Sequence, residues 1–442
     1  MAGARLADSI ASVLEQFTGL TPDPEWAFAH LTQAQTSYAT HGYHRYPAKF
    51  IPQLAARLIE DYSHPGDTVL DPFMGSGTAL VEAKRLGRPS VGVDINPVAH
   101  LIATAKVRAL EPHLLSEAIA CVRERLASPL QPSLFSSQAW ATVDDSYWHE
   151  RLRYWFREDV LCALSRIQHA FETLDDSVQP FFRCALSHTL KPVSWWHDRS
   201  VKPVRKLEKP IPDPTLVFFR HVRRMARGNR EYWALLQRAG TLDTPAYCHC
   251  ADARFLPVPD QSVDLIVTSP PYVTSYEYAD LHQLSALWFQ MTTDLREFRQ
   301  GFIGRSNGVH DPSGNLHSPL AEAIVGRLCE VNPRKAREVA LYFAEMYACF
   351  TEWRRVMRPD GYACIVIGNT HLSGVEVQNA QVFAEQLATL GFALERVILR
   401  EIPSKILPRT RDKQTGKFTK TDDADYLAYP TEYIIVFRCW KE

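Results

Sequence analysis

The chain has no hydrophobic run approaching the length of a membrane span, and its first residues, Met1-Ala-Gly-Ala-Arg-Leu-Ala-Asp8, lack the apolar core of a signal peptide. Export and membrane insertion are disfavoured, and a cytoplasmic location is expected. The nine cysteines are scattered without a disulfide-like framework, which suits a reducing compartment. Cys248-His249-Cys250 has no second pair at finger-like spacing, and alternating residues of a strand point to opposite faces, so no metal is expected there. The dinucleotide fingerprint G-x-G-x-x-G is missing, as is a P-loop lysine, which disfavours a pyrophosphate ligand. Internal repeats and low-complexity tracts are also missing.

What is present begins with a glycine loop. Thr68-Val69-Leu70 reads as a short strand ended by Asp71, and Gly75 and Gly77 permit a tight turn before Thr78 opens a helix. That helix keeps apolar spacing until Gly87, the expected stop signal. A second strand, Ser90-Val91-Gly92-Val93, closes in Asp94. The whole is one βαβ unit with a glycine loop at its crossover and an acid ending the next strand. A ligand without phosphates, carrying a ribose and an amino-acid tail, fits this loop better than a dinucleotide.

A second loop lies far downstream. Leu265-Ile266-Val267 is a continuous, largely β-branched run that reads as a buried parallel strand, and it stops at Ser269-Pro270-Pro271-Tyr272. Two prolines stiffen the backbone just past the strand's C-terminal edge, where open α/β sheets place their ligands. A hydroxyl, a carbonyl and an aromatic ring are displayed there together, a set suited to gripping a planar base by its exocyclic amino group.

Ser269-Pro-Pro-Tyr272 and Asp71-Pro-Phe-Met-Gly-Ser-Gly-Thr78 together resemble the catalytic and cofactor signatures of the amino-methylating DNA methyltransferases. The resemblance implies an α/β fold, a Rossmann-like S-adenosylmethionine-dependent methyltransferase sheet, here with a large helical insertion. It implies S-adenosylmethionine as cofactor, its methionine end held by Asp71, Gly75 and Gly77, with Phe73, Ser76 and Thr78 alongside, and its ribose hydroxyls held by Asp94 beside Ile95. The segment 43–59 resembles the one that closes over the methionine moiety, through Tyr46, Lys49 and Phe50. Asp252 and Ala253, shortly before the catalytic strand, resemble the element that meets the adenine amino group. In the loop, Ser269 Oγ and the Pro270 carbonyl would accept the two amino protons, Pro271 would stiffen the turn and Tyr272 would stack on the flipped base. Direct transfer is implied, because the carbon-5 cytosine enzymes need a nucleophilic cysteine, usually in Pro-Cys, and no such dipeptide occurs. Serine at the head of the loop points to the N4 amino group of cytosine. Adenine-N6 transfer, guanine-N2 transfer to RNA or tRNA, and a silent binding subunit remain alternatives. In many relatives the catalytic motif precedes the cofactor motif, so this chain looks circularly permuted relative to them.

A net charge of −1 hides two basic runs. One contains Arg199, Lys202, Arg205, Lys206, Lys209, Arg220, Arg223, Arg224, Arg227 and Arg230; the other contains Arg400, Lys405, Arg409, Arg411, Lys413, Lys417 and Lys420. In a chain balanced elsewhere by acids, both look like phosphate-tracking surfaces. Arg199, Lys202, Arg205, Arg223, Arg224, Arg227, Lys405, Arg409, Arg411 and Lys413 are the candidate DNA contacts. Trp195 and Trp196 read as core side chains, with stacking on DNA as the alternative. Three regions are expected: 1–107, the N-terminal part of the catalytic domain after a helical lead-in; 108–246, a helical, basic insertion and candidate recognition region; and 247–442, the C-terminal part. Residues 290–335 read as polar and loop-rich. Duplex DNA is the expected partner, with a cognate restriction endonuclease or other defence component beside it.

Overall fold

The computed structural model describes residues 13–46, 50–128, 147–198, 200, 202–273, 278–292, 294–304, 314–402, 410–411, 426–427 and 431–440. At its centre the apolar runs become strands β1 (Val69–Asp71), β2 (Ser90–Asp94), β3 (Ala246–Cys250), β4 (Val263–Thr268) and β5 (Met357–Ile367). A hairpin follows, β6 (Thr370–Leu372) with β7 (Val375–Val377), and then β8 (Phe392–Glu401). Next come β9 (Thr410–Arg411), β10 (Tyr426–Leu427) and β11 (Thr431–Cys439). Seven strands form one sheet in the order β3-β2-β1-β4-β5-β11-β8. Strands β1 to β5 pair in parallel, while β11 runs antiparallel to both neighbours. This is the expected Rossmann-like α/β sheet.

The order places the site. The chain winds outward from β1 through β2 to β3, then returns to the other side of β1 as β4, so the sheet switches direction between β1 and β4. Ligands of open α/β sheets bind outside the strand carboxyl ends at such a switch. Both signature loops leave the sheet at that point. Strand β4 is buried along almost its full length because neighbours flank both edges and helices cover both faces, which explains its unbroken apolar run.

Between β2 and β3 the described chain is mostly helical. It includes Pro112–Ala127, Tyr147–Trp155, Glu158–Glu172, Gln179–Leu190 and the long helix Pro214–Ala239. The last is set by its ends: Asp213 accepts from the Leu216 amide (2.8 Å), Pro214 opens the first turn, and Gly240 closes it at φ 69°. These helices share one core with the catalytic part. Leu152, Phe171 and Phe182 pack with Ile102 of helix Pro97–Val107 and with Leu284 and Trp288 of helix Tyr278–Trp288.

Three expectations change. Among the described residues the lead-in holds only short helical pieces: 13–15, Pro24–Ala27, Gln35–Ser37 and Ala39–Gly42. The 290–335 stretch contains helices Leu295–Gln300 and Pro319–Val331, the second capped by Ser318 with Pro319 in its first turn. The β6–β7 hairpin, which was not anticipated from sequence, turns at Ser373-Gly374 with both residues at positive φ. In the basic C-terminal region, β9 pairs antiparallel with β10, and Lys405, Arg409 and Lys413 lie outside the described residues.

Candidate functional site

Asp71 closes β1 and Asp94 closes β2, and both face a cavity above the switch point. The catalytic strand is tied to the cofactor strand there, because Thr268 Oγ1 donates to Asp71 Oδ1 (2.7 Å). Asp71 also accepts from the Phe73 amide (3.1 Å), and Asp94 accepts from the Gly75 (2.9 Å) and Asn96 (2.8 Å) amides. The second acid therefore shapes the glycine loop directly. Burial pushes the Asp71 carboxyl up to about 7 and that of Asp94 up to about 6.

The cavity brings most of the candidate residues together. Tyr46, Phe50, Phe73, Gly75, Ser76, Thr78, Ile95, Asp252, Ala253, Ser269, Pro271 and Tyr272 all line it. Gly77 does not line it: its missing side chain faces helix Pro97–Val107, where a Cβ would stand 3.0 Å from Ala103 Cβ. The Pro270 side chain is buried and does not line the cavity, and Lys49 lies outside the described residues.

Sequence reasoning missed one wall. Arg299, Gly301, Phe302, Ile303, Gly304, Glu338 and Tyr342 complete the cavity. The Gly304 amide donates to Glu345 (2.6 Å), a buried acid that also pairs with Arg254, and Arg254 in turn pairs with Asp252 (2.6 Å). Asp252 therefore reaches the cavity already held by an arginine. The paired glycines at 301 and 304 were the available signal, but a far weaker one than the two motifs.

The catalytic loop is clamped from two sides. Tyr342 donates its hydroxyl to the Pro271 carbonyl (2.8 Å). Tyr272 donates to Glu432 (3.1 Å), and its ring lies so close to Gly368 that a Cβ there would meet it at 3.1 Å. Glu432 is itself paired with buried Arg400 at 3.6 Å. Arg400, read from sequence as part of a DNA-facing run, is thus buried in a structural ion pair. Lys209 is also buried, donating to the Lys191 and Trp196 carbonyls and pairing with Asp198.

The cavity suits S-adenosylmethionine. Two buried carboxyls with raised pKa values favour cationic and hydroxyl-rich groups, the Ser76 and Thr78 hydroxyls are buried without a partner, and aromatic and aliphatic walls can sandwich a planar base. Among the described residues no group of three or more His, Cys, Asp or Glu could hold a metal ion, and no helix is long and apolar enough to cross a membrane.

Sheet order, glycine loop and cavity define an S-adenosylmethionine-dependent methyltransferase. The chain belongs to the N6/N4 DNA methylase family, whose pattern matches residues 17–105 and 263–442, more than half of its length. DNA is therefore the substrate class, and the gap in the match falls over the helical insertion and β3. The chain is similar to the type II methyltransferase M.MvaI of Kocuria varians, 28% identical over 403 residues that cover 86% of this chain and 88% of that protein. It is 40% identical over 94 residues to the type II methyltransferase M.MjaII of Methanocaldococcus jannaschii, covering 21% and 18% of the two chains. Among solved structures, a methyltransferase from Methanosarcina mazei aligns over 90% of this chain and all of its own, with 10% identity and a TM-score of 0.30.

Of the candidate DNA contacts, Lys202, Arg223, Arg224 and Arg227 are exposed. Arg224 leans back onto His221 Nδ1 (2.9 Å). Arg205 is held between two aromatic rings. Arg199 lies outside the described residues, and of Arg411 only the backbone, in β9, is described. Trp196 is core, stacked on Trp155, while Trp195 is only partly buried.

Proposed function

We propose that this enzyme methylates the N4 amino group of cytosine in a specific duplex DNA sequence, with the target base flipped into the cavity. One observation carries the reading: a serine rather than an Asn or Asp heads the Pro-Pro-Tyr loop and faces the same cavity as Asp71 and Asp94. The base must leave the stack because its amino group is unreachable within it. Ser269 Oγ and the Pro270 carbonyl accept the two amino protons, which aims the nitrogen lone pair at the cofactor side. Tyr342 fixes the neighbouring Pro271 carbonyl and so orients that acceptor pair. Tyr272 stacks on the ring. Asp71 faces the methionine end, Asp94 the ribose hydroxyls and Asp252 the adenine. When bound, S-adenosylmethionine supplies an electrophilic methyl group on a sulfonium, so positioning by the protein provides most of the acceleration. No strong general base is required if the proton passes to water.

On the same reading, residues 108–246 form the recognition region, with Arg223 and Arg227 tracking phosphates, and the protein partner would be a cognate restriction endonuclease or another defence component. Mass spectrometry of digested DNA after incubation with enzyme and cofactor should show N4-methylcytosine. N6-methyladenine as the sole product would overturn the base assignment and keep the mechanism.

Cofactor binding should also be linked to protons. Burial raises the pKa values of Asp71 and Asp94 and so favours their neutral forms. That contribution to stability is complete below the ordinary value of 3.8 and is lost as pH rises through about 6 to 7. A cationic ligand favours the ionised forms, so its binding near neutral pH releases protons. Calorimetry near pH 6.5 should give a heat that depends on the buffer's ionisation enthalpy, and affinity should fall on acidification by up to about tenfold per pH unit. A buffer-independent heat with flat affinity would sink this assignment of the two acids.

A further inference from the structure

The insertion carries an arginine whose setting the catalytic chemistry does not explain. Residues 195–198 and 202–206 pair as two arms of a short antiparallel ribbon. His197 N donates to the Val204 carbonyl (2.8 Å), Lys206 N donates to the Trp195 carbonyl (2.7 Å), and Trp196 bridges Arg205. The ribbon is fixed from below. Trp196 is 1% exposed and stacks on Trp155 with centroids 5.3 Å apart, and Trp195 N donates to the Trp155 carbonyl (2.9 Å).

On this base the Arg205 guanidinium lies between two rings, 4.3 Å from the Tyr154 centroid and 4.6 Å from that of Trp195. Among the described residues it makes no ion pair, and its Nε is buried without a hydrogen-bond partner. Arg254 and Arg400, which are buried more deeply than Arg205, face the acids Asp252 and Glu432. Tyr154 is 40% exposed, so the clamp stands at the surface. It also connects to the active site. Arg151 lies 5.0 Å from the centroid of the same Tyr154 ring and donates to Gln283 (3.2 Å) in helix Tyr278–Trp288, the first after the catalytic loop.

Two rings hold a guanidinium by cation–π attraction without neutralising it. They fix the plane of its donor fork and remove rotamers that binding would otherwise have to freeze. A phosphate contact needs charge nearby but no fixed plane, and exposed Lys202 and Lys206 on the same ribbon supply that charge. A fixed planar fork matches two in-plane acceptors on a base edge, and a two-stranded ribbon fits the major groove. We propose that Arg205, clamped between Tyr154 and Trp195, is a specificity-determining residue that reads one guanine of the target sequence through O6 and N7. The inference rests on the enzyme acting on duplex DNA, not on which amino group receives the methyl.

Sequencing that resolves modified bases, on DNA from cells expressing full-length wild type, Arg205→Gln or Arg205→Lys, tests it. Both variants should relax the methylated consensus at one G·C pair while keeping the other positions, because a lysine point charge cannot replace the fork. Discrimination at that pair should fall about 5- to 150-fold. A uniform loss at all sites with a smaller salt slope would make Arg205 a phosphate contact and overturn the proposal, as would an unchanged consensus. A second measurement covers variants that methylate too weakly for a consensus. With purified wild type, 7-deazaguanine placed at each guanine of the duplex in turn should slow methylation at one position, and Arg205→Gln should be insensitive there. Equal sensitivity of both enzymes at every guanine would also overturn the proposal. A product other than N4-methylcytosine leaves both tests intact, since the consensus is read whichever base is modified.

Discussion

Asp94→Ala and Gly75→Val each abolish or severely weaken S-adenosylmethionine binding, by about 100-fold or more, in a chain that still folds. Each Asp94 oxygen accepts one backbone amide, from Gly75 or Asn96, and keeps lone pairs for the cavity. Two hydrogen bonds from a ribose diol to a carboxylate are worth about 1.5–3 kcal/mol each, and losing about 3 kcal/mol lowers affinity roughly 100-fold. Removing the acid also frees the Gly75 amide and loosens the loop. Among the described residues Asp94 makes no ion pair, so the substitution sacrifices no buried charge pair. Gly75 stands at φ 47°, and a Cβ there would lie 3.0 Å from the Tyr46 ring, so valine both strains the turn and fills the cofactor space. Gly77→Val acts differently. Its side chain would drive into Ala103 at φ 76°, so the main loss is thermal stability and the loss of affinity is indirect. Calorimetric titration with the cofactor, beside thermal melts, separates the two. Wild-type affinity in both Asp94→Ala and Gly75→Val would refute the assignment of this loop.

That contrast between neighbouring glycines shows where sequence reading stops. A glycine at a strand-to-helix turn is legible because the turn demands positive φ, but which side its missing Cβ faces is a tertiary fact. The strands were legible because Val69-Leu70, Leu265–Val267 and Ala363–Ile367 are buried on both faces and must be apolar there. Asp71, Asp94 and Ser269 were legible because each ends such a strand at the carboxyl edge. Tyr342 was not, since on the long helix Pro333–Val356 it has the spacing of a core residue, and only its hydroxyl reaches the catalytic loop. Charge runs misled for a related reason. Lys209 and Arg400 read like their exposed neighbours, yet their partners, Asp198 and Glu432, are supplied by the fold. Arg205 looked like one more phosphate contact, and the two rings that give it a fixed plane come from separate parts of the insertion.

Ser269→Ala and Tyr272→Ala lower kcat/KM about 5- to 150-fold each, while leaving the dissociation constant for S-adenosylmethionine within about twofold of wild type. Alanine at 269 removes an acceptor and leaves an amino proton unpaired in a closed cavity, a penalty of about 1–3 kcal/mol. Alanine at 272 removes the ring proposed to stack on the flipped base, also worth about 1–3 kcal/mol per base. The structure refines the expectation for Tyr272→Phe. The lost hydroxyl contacts Glu432, and Glu432 keeps its pairing with Arg400, so the ring stays in place against Gly368. Phenylalanine should therefore retain activity within about threefold, which separates stacking from hydrogen bonding at this residue. Single-turnover methylation of duplex DNA with saturating cofactor isolates the chemical step, and calorimetry on the same preparations reports the cofactor. A Phe variant as damaged as the Ala variant would mean that Tyr272 acts through its hydroxyl and Glu432, and that something else stacks on the base. Wild-type kcat/KM in Ser269→Ala would remove the serine from the amino grip, and with it the one residue that favours cytosine over adenine.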